Sequence, residues 1–352
     1  MKIRAFKYIS PILIYCLSIW GFAGRGIACW FPMIYAWVIL PFTELLIKPN
    51  ASNLDAAEEE MAKNDRSYDY ILYAIVPLQF AALYFFFNSV TADGLQWWET
   101  AGKIWTMGLL CGTFGINVAH ELGHRANVFE RFLSKSLLMT SLYMHFYIEH
   151  NKGHHKNVAT PEDPASARYN EPIYIFYFRT VIFSYISAWK IANKEASFFS
   201  LRNEMLQAHI IQLLFVSAIF YFFGWLITIY FLCAALIGIA LLETVNYIEH
   251  YGLQRKKKED GRFERAMPQH SWNSNHILGR IMLFELSRHS DHHYLASRKY
   301  QVLKHHDEAP QLPTGYPGSM ILALVPPAWF YVMNKKVRKL QLESRIPDLA
   351  TT

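Results

Sequence analysis

Cysteine and charge are scarce in this sequence. Four cysteines, Cys16, Cys29, Cys111 and Cys233, are scattered through 352 residues. No two form a Cys-x-x-Cys pair, and each lies in or beside an apolar run. That excludes a disulfide framework and a fused iron–sulfur or rubredoxin-type module, and leaves the thiols as small core hydrophobes. Charged residues make up only 18% of the chain, with a formal net charge of +6. No Gly-x-Gly-x-x-Gly turn follows a strand, which excludes a Rossmann-type nucleotide site. No internal repeat is evident. The first apolar run lacks a small-x-small cleavage site and a second run follows at once, so residues 1–21 read as a retained span, not a signal peptide.

Hydrophobic residues are abundant, at 53%, with 25 Phe, 21 Tyr and 10 Trp. They fall in long runs separated by polar blocks, the pattern of a polytopic membrane protein. A helix needs about 20 apolar residues to cross the hydrocarbon core. Runs at roughly 8–22, 27–47, 69–89, 104–120, 206–222 and 224–246 meet that need, which predicts an all-α fold of about six transmembrane helices. Six spans put both termini on one side. Lys2, Arg4, Lys7, Lys48, Lys63 and Arg66 flank the same side as the polar blocks 121–205 and 247–352, while the opposite loops carry only Arg25 and Lys103. The positive-inside rule therefore makes the termini and polar blocks cytoplasmic. Basic blocks framed by membrane spans argue against nucleic-acid binding. Residues 137–148 are too short to span and 173–189 contain Arg179, so both are expected to lie in the interface or pack re-entrantly. Residues 319–333, interrupted by Pro326-Pro327, read as a membrane-surface element.

Nine of the fifteen histidines are clustered in these blocks or, for His120, at their edge. His289-Ser290-Asp291-His292-His293, read as a helix, puts three imidazoles at i, i+3 and i+4 on one face. His120 and His124 in HELGH are i, i+4. EHNKGHH carries His150, His154 and His155, and NYIEHYG carries His250. HELGH alone matches the zinc-protease pattern. One zinc, however, needs three protein ligands and an open position, whereas nine histidines are about right for two metal ions. All-imidazole sites suit iron, copper, zinc or nickel, and zinc alone cannot do redox work. The adjoining Glu121, Glu149, Glu249 and Asp291 are expected to accept ring N–H groups and fix the ligand tautomers.

The segments HELGH, EHNKGHH, NYIEHYGLQR and SRHSDHHYLASRKYQ, with the flanking ATPEDPASAR (159–168) and MPQHSWNSNHI (267–277), resemble the integral-membrane alkane 1-monooxygenases, relatives of membrane desaturases and fatty-acid hydroxylases. The likeness runs from about residue 104 to 335. It implies one membrane-embedded hydroxylase unit over 1–352, with cytoplasmic catalytic segments 121–205 and 247–335 forming a histidine-rich helical cap over a di-iron site. His120, His124, His150, His154, His155, His250, His289, His292 and His293 would hold the two iron ions, with no catalytic residue beyond the metal centre. The reaction implied is O2-dependent terminal hydroxylation of alkanes drawn from the lipid phase of a bacterial inner membrane. Electrons would come from rubredoxin and its NADH-dependent reductase, with Arg255, Lys256, Arg262 or Arg288 steering an acidic donor. Trp30, Tyr35, Trp37 and Glu44 of the second span are candidates to line the substrate tunnel. His145 and His209 read as packing residues and His305 and His306 as surface positions, while His270 and His276 lie in a matching stretch without being made ligands by it. The alternatives are an oxygenase of the same scaffold acting on xylene-type methyl groups or acyl chains, and a non-enzymatic membrane metal carrier.

Overall fold

The sequence pattern of apolar runs becomes a bundle of helices in the computed structural model, which describes residues 2–343. In chain order the elements are α1 (Arg4–Ala23), α2 (Gly26–Leu46), α3 (Ala56–Asn64) and α4 (Ser67–Ser89). Next comes α5, a continuous run of Trp97–Leu110, Cys111–Ile116 and Asn117–Gly123. Then follow α6 (Val128–Thr140), α7 (Phe146–Glu149, His150–His154 and His155–Asn157), α8 (Ile173–Glu195) and α9 (Glu204–His250). Four short or peripheral helices close the chain: α10 (Ile277–Met282), α11 (His289–Tyr294), α12 (Tyr316–Ala323) and α13 (Pro326–Glu343). Among the described residues there is no strand, only two isolated bridges.

Helices α1, α2, α4 and α9 are long and apolar enough to cross a bilayer. Although α9 has 47 residues, it is not one rod. Gly224 sits at φ 83°, ψ 173°, a region essentially restricted to glycine. Phe215 and Phe231, sixteen positions apart, have ring centroids 5.7 Å from each other. On a straight helix the same separation would be about 24 Å, so the chain folds back at Gly224 into two antiparallel limbs. These limbs are the expected runs 206–222 and 224–246. The expected run 104–120 lies inside α5. Leu13, Tyr84, Leu213, Leu214 and Leu236 are exposed on the outer faces, a rim of apolar side chains that would be unfavourable in water and suits lipid.

The two cations expected in the opposite loops, Arg25 and Lys103, both bind main-chain carbonyls. Buried Lys103 donates to Phe22 O at 2.8 Å and Ser89 O at 3.1 Å, closing the last turns of α1 and α4, where unpaired carbonyls favour a cation. Arg25 donates to Asp93 O and Gly94 O. Residues 137–148 are packed inside the bundle. The chain breaks after Thr140, with Leu142 at φ 52°, and Leu137, Leu138 and Tyr143 are fully or nearly fully buried. In contrast, α8 exposes Tyr174, Ile175, Phe178, Ile182 and Phe183. Its Arg179 turns inward, to Glu171 at 2.6 Å and to the carbonyls of Pro164 and Ser166. The cysteines divide: Cys29 and Cys111 are buried, but Cys16 and Cys233 lie on exposed helix faces and are not core residues. The break between α12 and α13 falls before Pro326-Pro327, where proline disfavours a helical predecessor.

One junction joins the N-terminus to the segment that carries α11. Phe284 and Glu285 have φ of 51° and 59°, a strained pair for non-glycine residues. Glu285 holds this turn with its side chain, accepting from Tyr8 Oη at 2.5 Å and Arg280 Nε at 2.6 Å. Burial pushes its carboxyl up, but Arg280, Lys7 and Arg288 outweigh burial and hold it below the usual range. A carboxylate lowered by folding stabilises the fold above its unfolded value of about 4.3, and that stability is lost as pH falls through the folded value. In thermal unfolding of the detergent-solubilised protein, Glu285→Gln should cost about 3 kcal/mol at neutral pH. The difference from wild type should shrink as pH falls below about 4.

Candidate metal centre

Each histidine cluster occupies a helix end or a helix irregularity. His120 lies in the last turns of α5 and His124 caps it. The π turn Cys111–Ile116 just before them packs on the second limb of α9, and a side chain at Gly112 would stand 3.0 Å from Gly238 O. That pairing of glycines lets α5 and α9 approach closely enough for His250, the last residue of α9, to reach the same centre. In α7, His150–His154 form a second π turn. Its i to i+5 register brings His150 and His155 together, with Nε2 atoms 3.0 Å apart. The six-residue α11 is held by Asn273, which accepts from Ser290 N at 2.8 Å and donates to Ser290 Oγ at 2.7 Å.

All nine histidines converge, in two groups. One is His120, His124, His150, His155 and His292; the other is His154, His250, His289 and His293. Within each group every donor nitrogen lies within 4.8 Å of the others. In the first group, Nε2–Nε2 separations are 2.9 Å for His120–His292, 3.1 Å for His292–His155 and 3.2 Å for His150–His124. In the second they are 3.2 Å for His154–His293, 2.9 Å for His293–His289 and 3.1 Å for His289–His250. Ligands at right angles around an ion with bonds of about 2.1 Å are about 3.0 Å apart, so these spacings fit one metal ion per group. Burial first, and neighbouring rings second, push His124, His150, His155, His289, His292 and His293 well below the ordinary imidazole range. Neutral rings are the form that binds metal. The helical face of α11 is shared between the groups: His292 joins the first, His289 and His293 the second. Adjacent His154 and His155 divide likewise.

The four neighbouring acids behave differently from the sequence expectation. Glu121 stands three residues before His124, a spacing that supplies paired ligands in di-iron bundles, yet its carboxylate accepts from Arg125 at 2.6 Å and Tyr300 N at 3.1 Å. Asp291 is taken by Arg298 at 2.5 Å, Lys304 N at 2.8 Å and His306 Nε2 at 2.7 Å. It fixes the loop after α11 rather than a ligand ring, because its side chain leaves the helix on the other face. Burial pushes Glu149 up to about 8, and its Oε1 has no partner among the described residues. Glu249 does meet a ligand, with Oε2 3.1 Å from His289, but at Nε2, the nitrogen facing the centre.

The acid that does orient a ligand ring is Asp163, in the ATPEDPASAR stretch. His154 Nδ1 donates to its Oδ2 at 2.9 Å, and Ser166 Oγ and Ala165 N donate to the same carboxylate at 2.5 and 3.1 Å. Its only sequence signal was that stretch; nothing in the spacing marks the acid. Asp163→Asn should lower the affinity for one metal ion by about 10–100-fold, read as metal retained after dialysis against a chelator.

An apolar cavity leads to the centre. Its walls include Tyr35, Trp37, Leu109, Thr113, Leu241 and Met320, and His120, His150, His289 and Glu249 close its end. The space between them totals about 920 Å³, counting the open mouth. Trp30 is not in this wall; its Nε1 donates to Trp98 O at 3.0 Å, at the opposite end of α2. Glu44 is not in it either. It is buried behind the wall and accepts from Gly279 N at 2.7 Å, tying α2 to α10. Leu241 and Met320 escaped sequence reasoning because they join the wall from remote helices.

The other histidines stay outside the two groups. His145 packs on Tyr143 and Tyr185, and His209 meets Tyr185. His270 pairs with Glu264, and His276 with Ser274. His305 and His306 are half-buried rather than surface residues, since His306 is bound to Asp291 and His305 to Asn275. Arg288 is buried and donates to Leu303 O and Ser52 O, so it presents no charge to a partner. Lys256 and Arg262 are exposed.

Residues 95–320 match the fatty acid desaturase family. The chain is 40% identical to an alkane 1-monooxygenase of Acinetobacter baylyi over 341 residues, covering 94% of this chain and 83% of the relative. It is 37% identical to alkane 1-monooxygenase 2 of Pseudomonas aeruginosa over 356 residues, 96% and 93% of the two chains. A more distant likeness, 27% over 242 residues, covers 67% of this chain and 64% of the hydroxylase component of a xylene/toluene monooxygenase from Pseudomonas putida.

Proposed function

The chain belongs to the fatty acid desaturase family, among its alkane 1-monooxygenases, and from that premise we propose that it hydroxylates the terminal carbon of alkanes at a pair of iron ions. The observation that carries this reading is the meeting of five and four imidazoles at the closed end of an apolar cavity. Iron, when bound by these rings, supplies the redox chemistry that activates O2. The chain's own residues do the rest. Tyr35, Trp37, Leu109 and Leu241 desolvate an alkyl chain and hold it in line. His120, His150 and His289 at the cavity end fix where its terminal methyl stops. An alkane reaches this site from lipid, into which it partitions by about 0.8 kcal/mol per CH2.

The chain carries no flavin, nicotinamide or iron–sulfur motif, so two electrons per turnover come from a separate protein, which we take to be rubredoxin fed by its NADH-dependent reductase. With Arg288 buried, an acidic donor would meet Lys256 and Arg262. The distribution of Lys and Arg supports an inner-membrane protein with both termini and the histidines on the cytoplasmic side. Cells expressing the protein with rubredoxin and reductase should convert octane to 1-octanol, and the purified protein should carry two iron ions per chain. A product only from xylene or a fatty acid would move the substrate assignment; zinc in place of iron would overturn the oxygenase reading.

A further inference from the structure

We infer that a second cavity, at the N-terminal end of α1, binds the headgroup of an anionic phospholipid: a phosphate diester that also carries hydroxyl groups, as in phosphatidylglycerol. Four cations line this cavity, Arg4, Lys7, Arg280 and Arg288, against two carboxylates, Glu58 and Glu285. Arg4 is paired with Glu58, and Arg280 with Glu285 at 2.6 Å. Lys7 Nζ stands 3.5 Å and Arg288 Nε 3.8 Å from the same Glu285, so one carboxylate faces three cations. Two positive charges are left over, and cations gathered this closely in a recess call for an anion. The space among these side chains totals about 850 Å³, counting its mouth.

Two buried side chains in the wall carry unmet hydrogen-bonding groups of opposite kind. Arg288 is 3% exposed and Gln301 is 7% exposed. Among the described residues Arg288 Nε has no acceptor and Gln301 Oε1 has no donor. The Nη atoms of Arg288 are tied to Leu303 O and Ser52 O, and Gln301 Nε2 donates to Ala62 O at 3.2 Å, which holds both side chains in place. Arg288 lies too deep for a protein surface to meet, but not for a small group that enters the cavity. A phosphate oxygen suits the Arg288 nitrogen and a hydroxyl suits the Gln301 oxygen. Phosphatidylcholine has the phosphate but no hydroxyl to donate, and its ammonium would add another cation. The position of the cavity names a lipid as the source. Arg4 and Lys7 open a helix long and apolar enough to cross a bilayer, which sets them at headgroup depth, where basic recesses take anionic lipids. Phe6, Ile9 and Leu13 of the same helix are exposed and offer apolar surface to the acyl chains. A bound headgroup would brace the turn between α10 and α11, to which Glu285 and Arg288 belong.

The test uses purified full-length protein in detergent, with lipid retention read by native mass spectrometry and unfolding followed by a thermal melt. Phosphatidylglycerol should be retained more tightly than phosphatidylcholine by about 10-fold or more, and at saturation should raise Tm by about 3 °C or more. Inorganic phosphate at the same concentration should leave Tm unchanged. Lys7→Gln removes a half-exposed cation and should lose about 10-fold in phosphatidylglycerol affinity; Lys7→Glu should lose more. Lys48→Gln is the control, an exposed cation of the same basic set outside the cavity, and should bind as wild type does. Equal retention of the two lipids, or equal losses in Lys7→Gln and Lys48→Gln, would overturn the inference. A rise in Tm with inorganic phosphate as large as that with phosphatidylglycerol would overturn the assignment to a lipid. None of these outcomes depends on iron, so the reading of the metal centre is tested separately.

Discussion

Replacing His292 with alanine is expected to abolish alkane hydroxylation, by at least about 100-fold, and to release one metal ion per chain. His292 stands between two partners, its Nε2 2.9 Å from His120 and 3.1 Å from His155. Removing it takes away a donor and the link between the ends of α5 and α7. Outer partners of metal ligands are worth about 10–100-fold, so a direct ligand belongs at or above the top of that range. His306→Ala is the matched control. His306 donates to Asp291 at 2.7 Å and belongs to neither group, so its loss should leave both ions bound and reduce turnover by less than about 10-fold. Product formation and metal content measured on both variants decide the matter. Equal effects at the two positions would mean that the two histidine groups are not the working centre.

The second large effect concerns chain length. Tyr35 and Trp37 lie on the irregular turn of α2, Tyr35–Ile39, and face the cavity. Truncating either to alanine lengthens the apolar space without touching the histidines. Each further methylene that the cavity can bury is worth about 0.8 kcal/mol, or about fourfold in kcat/KM. The optimum should therefore move to longer alkanes by several carbons, with the longest substrates gaining more than 10-fold. Trp30→Ala should not shift it, because Trp30 packs on Gly102 and donates to Trp98 O outside the cavity. Competition between octane and longer alkanes, with product ratios read by gas chromatography, tests this. An unchanged ratio in Tyr35→Ala and Trp37→Ala would remove these side chains from the substrate path.

The clustered histidines were legible because positions i, i+3 and i+4 share a helix face. Their distribution between ions was not. His154 and His155 are neighbours in sequence and go to different groups, as do His292 and His293. Which ring meets which is decided by the crossing of α5, α7, α9 and α11, and no one-dimensional spacing carries that information. The acids show the same limit from the other side. Adjacency marked Glu121 and Asp291 as ring partners, yet each is drawn off by an arginine, Arg125 or Arg298. Asp163 takes that role for His154 from a loop whose acid nothing singled out. Arg288 looked like a surface charge in a basic block and is instead a buried clamp on Ser52 and Leu303.

By itself the sequence determined the helical membrane class, the extent of most long helices and which nine histidines fall into clusters. These follow from local properties: the length of an apolar run against the thickness of a bilayer, and the period of a helix. Only the tertiary structure decided that α9 doubles back, that five rings gather in one group and four in the other, that Glu249 meets His289 Nε2, and that the cavity wall borrows from α2, α5, α9 and α12. Those outcomes depend on how closely helices approach one another, as at Gly112 and Gly238. Such an approach is set jointly by side chains far apart in the chain, so no single stretch contains it.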